Sequence, residues 1–564
     1  MPTDINDQQV KTAIKNLSDN IRAEFIEDNS LDLYVGKETL ASIDNIKNQA
    51  IYGRRGIGKT HLLFAFREKL IQSFKEERRF PVYIDLRKIL PLISNNDSLE
   101  FASLVFKFIA QSIIDQVMEN INFIFDLNEW DGDNKMKSSK LKKIEEILSK
   151  FNYEFDGHEY KKISDFSLSQ EEMRKISGSL AINKTPEANL SKEYEQRESQ
   201  DFQKTRFISF SDITKILDEI PFEFGLRRIV ILLDEWAEIP GESQPYLAEL
   251  LKRSFIAGKY SLKIAAIPIR SRLGFKTDSK FIGLEEGGDV FGYSLDNRFV
   301  FEINKQQTRD FFNELLFQHL SHIDKDIFDD TAGNKSNNGI INQFFANIAL
   351  REILIASAGI PRDFISLFIN SYDQFIINTS SSNKRIGVKH VREATVDWYK
   401  TDKKDQVDNH LYPKQLLQKI VNEIVLKKKK THFLIPEKHS GNEYLATLID
   451  LRVIHLRKNG YSHQDNSGVS YNVYSLDYGC YTSININQSE LDSSLLSDIN
   501  TIDNFRDIRR VSLEEKFFDE FLLQVGEAFK CPHEDCGEPV DTKSPAYLKQ
   551  GLCNHCFKKA TISA

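Results

Sequence analysis

Apolar positions along the chain change period several times, and each change marks an element. Val10, Ala13, Leu17, Ile21 and Phe25 recur three or four residues apart, which predicts a helix over residues 5–28 with one buried face. A short apolar piece, Leu31 to Val35, ends in a glycine turn at Gly36. Leu62, Leu63, Phe66 and Leu70 fall on one side of a second helix. Val82–Leu86 predicts a buried strand, and residues 98–117 an apolar helix. From about 128 to 207 the pattern dissolves into Ser, Lys, Glu and Asn, with Ile163, Phe166, Leu168 and Ile176 scattered. That stretch reads as a partly mobile insertion at the edge of the first domain, holding either a hairpin or short helices.

Order returns with a helix near 211–220 and the run Ile229-Val230-Ile231-Leu232-Leu233, closed by Asp234-Glu235. Continuous, largely β-branched apolar residues are the signature of a parallel strand covered on both faces. Further strands are expected at 262–269 and at Arg298–Phe301. Residues 308 to about 398 have a helical period, interrupted at 330–339. Beyond residue 409 come a helix (412–427), a strand (431–435), a helix (442–449) and two strands (453–456 and 471–476) joined by a polar loop. That order resembles a winged helix. The predicted domains are an N-terminal helix (1–30), an αβ core (31–305) with its insertion, a helical lid (306–405), a winged-helix domain (406–487), a polar helical linker (488–528) and a cysteine-bearing module (529–564).

A length of 564 residues suits several domains with cores of their own. The formal net charge of −8 gives no global nucleic-acid signature, so such a role must rest on a local patch. No apolar run reaches transmembrane length, and Met1-Pro2-Thr3-Asp4 is not a signal-like start, which predicts a cytoplasmic protein with no membrane partner. Five cysteines, four of them at 531 or later, do not make a secreted disulfide framework.

The first chemistry-bearing motif is Gly53-Arg54-Arg55-Gly56-Ile57-Gly58-Lys59-Thr60, a G-x-x-x-x-G-K-T loop before a helix. Its backbone N–H groups and the helix N-terminus suit a polyphosphate, Lys59 suits the β/γ-phosphates and Thr60 suits Mg²⁺. Gly53, Gly56, Gly58, Lys59, Thr60 and His61 are the nucleotide-binding candidates, and ATP with Mg²⁺ is the expected ligand. Asp234 and Glu235 follow 175 residues after Lys59, at the end of a strand of the right kind. Asp234 would hold Mg²⁺, and Glu235 would act as general base on water. Arg54 and Arg55 have three open readings: the phosphates, a neighbouring subunit, or water.

Together with Tyr34-Val35-Gly36-Lys37-Glu38, the loop at 53–60, the acids at 234–235, Gly359-Ile360-Pro361-Arg362 and the winged-helix pattern, the chain resembles AAA+ ATPases of the origin-recognition-complex type. The resemblance covers roughly 25–125 and 205–480. It implies a P-loop AAA+ core with a parallel sheet, an all-α lid and a winged helix, and an ATPase activity. It places Val35 and Gly36 beside the adenine, with Lys37 where the family has arginine. It puts Arg362 near the γ-phosphate, and a polar residue after the 262–269 strand, Arg270 or Ser271, in the role of orienting water. It also implies a homo-oligomer with a shared nucleotide site, in which Arg298 reaches into a neighbour as an arginine finger; a surface arginine is the competing reading.

In the tail, Cys531 and Cys536 face Cys553 and Cys556 across an intervening stretch, a spacing that lets two knuckles close one tetrahedral Zn²⁺ site in a small zinc ribbon. Cys480 stands apart, expected on a strand and merely buried. Residues 384–460 carry 17 Lys and Arg against 9 Asp and Glu, headed by Lys427-Lys428-Lys429-Lys430. A winged helix there would offer DNA a basic surface; a solvated helix end is the competing reading. The functional expectation is an ATP-driven AAA+ switch acting on DNA. The rival is a signalling NTPase that gates a protein assembly, such as an anti-phage system with a partner encoded nearby, without direct DNA contact. No nuclease, protease or Ser-His-Asp pattern accompanies the ATPase motifs.

Overall fold

The computed structural model describes residues 4–18, 30–92, 97–127, 131–156, 159–161, 204–206, 210–256, 258–277, 280–301, 303–328, 339–378, 384–462, 469–482 and 511–560. The chain divides into two units. One comprises Lys37–Gly53 and Lys59–Ser294; the other comprises Met1–Gly36, Arg54–Gly58 and Leu295–Ala564.

The first, an αβ unit, is built on a sheet of β1 (Gln49–Tyr52), β2 (Arg79–Asp85), β3 (Arg228–Asp234), β4 (Tyr260–Ala266) and β5 (Phe291–Ser294). Its spatial order is β2-β3-β4-β1-β5, with every neighbouring pair parallel. Parallel strands need crossover helices, which cover both faces of the sheet and bury its central strands. All seven residues of β4 and six of seven in β3 are accordingly buried. Helices Lys59–Gln72, Ser98–Glu119, Phe210–Glu223 and Gln244–Phe255 supply apolar cover. Ser98–Glu119 is long and apolar enough to cross a membrane, yet Phe101, Val105, Ile109 and Ile113 lie in this core.

Two expectations are corrected here. The fifth strand is Phe291–Ser294, and Arg298–Phe301 lies in a turn. The aromatic content at 299–301 has another cause: Phe299 stacks on Phe311, with centroids 3.6 Å apart. The stretch from about residue 128 is also more regular than its irregular pattern predicts. Asp131–Asp156 is one helix, and its Ile144, Ile147 and Phe151 are buried in the αβ core. Glu159–Lys161 then pairs antiparallel with Lys204–Arg206. Ile163, Phe166, Leu168 and Ile176 lie outside the described residues.

The second unit is mainly helical. Gln8–Leu17, Lys305–Ile323, Ile340–Phe344, Asn347–Ala356, Pro361–Ile377 and Val388–Trp398 share one core. The predicted continuation of the first helix to 28 lies outside the described residues. The same core runs into a three-stranded antiparallel sheet of β6 (His432–Pro436), β7 (Ile454–Ser462) and β8 (Ser470–Leu476), in the order β6-β8-β7. Helix Leu411–Val421, extended by a π-helical turn to Lys427, precedes β6, and helix Glu443–Asp450 joins β6 to β7. This is winged-helix connectivity, with one 3₁₀ turn at Glu437–His439 where a second helix would stand.

The described part of the predicted linker is packed against this domain. Leu434 N–H donates to Val511 O, and Leu513 N–H returns to Leu434 O. Helix Glu515–Gln524 buries Phe518 and Phe521. Those apolar residues need the winged-helix domain to cover them. Cys480 is buried as expected, but in helix Tyr478–Thr482 rather than on a strand. In the tail, β9 (Ala528–Lys530) pairs with β10 (Pro539–Asp541).

Candidate functional site

The phosphate loop starts where β1 ends. Gly53 N–H donates to Ala266 O at the end of β4, which fixes the start of the turn. Gly56 and Gly58 have φ of +81° and +100°, a region that side chains disfavour. A Cβ on Gly58 would meet nothing within 4 Å, so the backbone there is open to close approach. Helix Lys59–Gln72 follows at once, with no acidic residue in its first turn. Its first N–H groups lack intrahelical acceptors and its positive dipole end faces the loop, which fits a polyphosphate. Lys59 Nζ donates to Gly53 O at 2.7 Å, and Thr60 and His61 are half-buried beside it.

In the αβ unit, Asp234 ends β3 opposite Asp85 of β2. Asp234 is 1% exposed, with Oδ2 accepting from Tyr83 O–H at 3.0 Å and Oδ1 from Glu235 N–H at 2.9 Å. Each oxygen retains accepting capacity, as a hard cation requires. Glu235 has φ of +58°, a costly conformation for a non-glycine residue and one that clusters at functional sites. Burial and neighbouring Asp234 raise its carboxyl above the ordinary range, with Arg87 and Lys59 opposing. Arg87 grips Asp85 through Nε and Nη2 (3.0 and 2.8 Å), and its Nη1 lies 3.7 Å from Glu235 Oε1.

Tyr83, Asp85 and Arg87 were not among the sequence candidates, although their alternate spacing at the end of a buried strand was a usable signal. Nor was Gln244, which is fully buried. Its Nε2 donates to Ile239 O and Arg270 O, and its Oε1 accepts from Trp236 Nε1 and Arg272 N. It ties the segment after Glu235 to the turn after β4. There Ser271 Oγ accepts from Ile267 N–H, and Arg270 is exposed.

In the helical unit, Ala358 and Gly359 have φ of +52° and +80° before Pro361 opens the helix Pro361–Ile377. A Cβ on Gly359 would sit 2.6 Å from Phe299 O, so the turn needs glycine. The turn delivers Arg362 to the phosphate loop: its N–H donates to Gly56 O at 3.3 Å, and its Nε lies 2.9 Å from where a Gly56 Cβ would be. Arg54 points inward, contrary to all three of its sequence readings. It is 6% exposed, with Nε 2.9 Å from Asp296 Oδ1 and Nη1 2.7 Å from His455 Nδ1. Arg55 and Arg298 are half-buried. Val35 is buried in the helical core, and Gly36 turns with φ of +112°.

The four tail cysteines converge. Their Sγ atoms lie within 4.8 Å of one another, with Cys531–Cys556 and Cys536–Cys553 each at 3.8 Å. A tetrahedral ion with bonds of about 2.3 Å sets ligand sulfurs about 3.8 Å apart, whereas a disulfide would bring them to about 2 Å. The donor set therefore fits Zn²⁺ and leaves no position open.

The basic stretch is more neutralised than its sequence suggests. Lys427 Nζ donates to Glu423 at 2.7 Å, with Lys428 3.8 Å from the same carboxylate. Helix Glu443–Asp450 carries no Lys or Arg. Its Glu443 pairs with Lys543, and Tyr444 O–H donates to Glu527.

A family model described as ORC-CDC6-like matches residues 16–353. None of the curated proteins compared matches the chain. Among solved structures, the Aeropyrum pernix ORC1 protein in complex with DNA is similar at 11% identity, over 84% of this chain and 96% of that one, with a TM-score of 0.31.

Proposed function

The chain belongs to the ORC-CDC6-like family, and from that premise we propose that it is an ATP-hydrolysing AAA+ switch whose output is a DNA contact. The observation that carries the reading is the join of a glycine loop, a helix N-terminus and Lys59 in one turn, with Arg362 laid on Gly56. Thr60 and Asp234 would hold Mg²⁺, which neutralises charge on the phosphates. Lys59 swings from Gly53 O to the phosphates. Glu235, held by its own backbone and opposed by Arg87, takes the proton from the attacking water. Arg362 stabilises charge on the transferred group. Val35 and Gly36 flank the base, and Arg298 serves a neighbouring subunit's nucleotide in a homo-oligomer. The Cys531, Cys536, Cys553 and Cys556 set binds a structural Zn²⁺.

A second reading has one specific observation in its favour. A groove-reading helix is usually basic, and Glu443–Asp450 is not, with its N-terminal turn engaged by Lys543. That favours a switch gating a protein assembly. A DNA gel shift of the full chain across a salt series separates the two. DNA binding that weakens with salt and falls when Lys427–Lys430 are replaced by Ala supports the first. Absence of binding at low salt, or indifference to that substitution, supports the second.

A further inference from the structure

Inside the helical unit a chain of buried polar groups starts at the phosphate loop and ends in the winged-helix sheet. Arg54 Nη1 lies 2.7 Å from His455 Nδ1 on β7, and His455 Nε2 lies 3.1 Å from Asp477 Oδ2 just after β8. Arginine can only donate, so Nδ1 accepts; the proton then sits on Nε2 and is donated to Asp477. The ring is therefore neutral, in one defined tautomer, and 0% exposed. Burial holds it well below its ordinary range, consistent with that assignment.

The chain continues. Lys403 Nζ donates to Asp477 at 2.6 Å and lies 3.7 Å from Asp363, the residue after Arg362. Asp363 Oδ1 accepts from Arg452 Nη1 at 2.5 Å, and Arg452 also pairs with Asp402. Asp363 Oδ2 is buried with no hydrogen-bond partner among the described residues. Lys403 thus stands between the carboxylates of Asp477 and Asp363. A second strand of contacts meets at Ala358 O, which accepts from Arg54 Nη2 at 3.3 Å and from Arg457 Nη1 of β7 at 3.5 Å. Ala358 opens the turn that presents Arg362.

Burying so many charges stabilises a fold poorly compared with apolar packing of the same volume. Its distinctive property is that each group's position depends on the next, over segments 401 residues apart in sequence between Arg54 and His455. We infer that His455 and Asp477 are positioning residues for the nucleotide: the winged-helix sheet sets the phosphate loop through Arg54, and nucleotide on the loop resets the sheet through the same groups. Thermodynamic linkage makes the two directions equal. The inference rests on the proposed nucleotide reading of the loop.

The test uses the full chain and equilibrium titration with a fluorescent ATP analogue and Mg²⁺. His455→Leu removes the acceptor for Arg54 and should weaken binding about tenfold, within the usual range of intramolecular coupling. His455→Asn, whose Oδ1 can stand where Nδ1 stood, should return affinity to within about threefold of wild type. A merely structural histidine would not give that rescue. If His455→Leu does not fold, hydrogen exchange of the wild type decides. ATP with Mg²⁺ should slow exchange at 454–457 and 473–477 about tenfold, and Lys59→Ala should abolish the effect. Unchanged affinity in folded His455→Leu, or no protection of those strands by bound ATP, overturns the inference while the nucleotide reading stands. Absence of ATP binding by the wild type overturns both.

Discussion

Replacing Gly56 by Ala probes whether Arg362 really rests on the phosphate loop. At φ of +81° an alanine is strained wherever its methyl points, at about 1–2 kcal/mol. The methyl would also lie 2.9 Å from Arg362 Nε and 3.1 Å from its Cβ and Cζ, against an ordinary contact distance of about 3.5–4.0 Å. Relieving that overlap displaces the arginine, at about 1–2 kcal/mol more on the usual scale for overpacking. The Gly56→Ala cost should therefore be about 2–4 kcal/mol in the wild type and about 1–2 kcal/mol in an Arg362→Ala background. Gly58→Ala is the internal control. Its φ is also positive, but its methyl meets nothing within 4 Å, so its cost should be the same in both backgrounds. Urea unfolding of the six combinations measures these values. Additivity of Gly56→Ala with Arg362→Ala within about 0.5 kcal/mol would refute the contact. Turnover should separate the glycines too, with Gly56→Ala approaching Arg362→Ala.

Glu235→Gln should lower ATP turnover at least about 100-fold while leaving ATP binding near wild type, measured by phosphate release and by titration. The pH dependence has a definite sign. Glu235 must be ionised to act, and burial with Asp234 raises its carboxyl, so turnover should rise with pH through a midpoint above the ordinary carboxylate range. Arg87 opposes that rise; Arg87→Ala should move the limb to higher pH, and a shift to lower pH would contradict the assignment. Metal analysis should find one zinc per chain, and Cys553→Ser or a strong chelator should release it and melt the tail, seen as loss of amide protection at 528–541.

The unbroken apolar run Ile229–Leu233 made β3 plain in the sequence, because a strand covered on both faces is apolar along most of its length; β4 was legible too, although it buries Ser261 and Lys263. The phosphate loop, Asp234, Glu235 and the cysteine pairs were plain for a related reason: each is local, and its chemistry fixes its spacing. Strand β5 was not, since three of its four residues are exposed and leave no apolar pattern. Helix Asp131–Asp156 was hidden among lysines and serines, its buried face reduced to Ile144, Ile147 and Phe151 over its well-packed part. Arg54 could not be placed at all. Its partners Asp296, Ala358 and His455 come from three distant segments, and only the fold brings them together.

The central claim, that the loop at 53–60 binds a nucleoside triphosphate, is tested most directly by calorimetric titration of ATP with Mg²⁺ into the full chain and into Lys59→Ala. Saturable binding at one site per chain is expected for the wild type. Lys59 makes charge-assisted contacts to the phosphates, so its removal should weaken binding at least about tenfold, the equivalent of about 1.4 kcal/mol. Equal affinity in the two proteins, or no heat of binding in the wild type, would contradict the account.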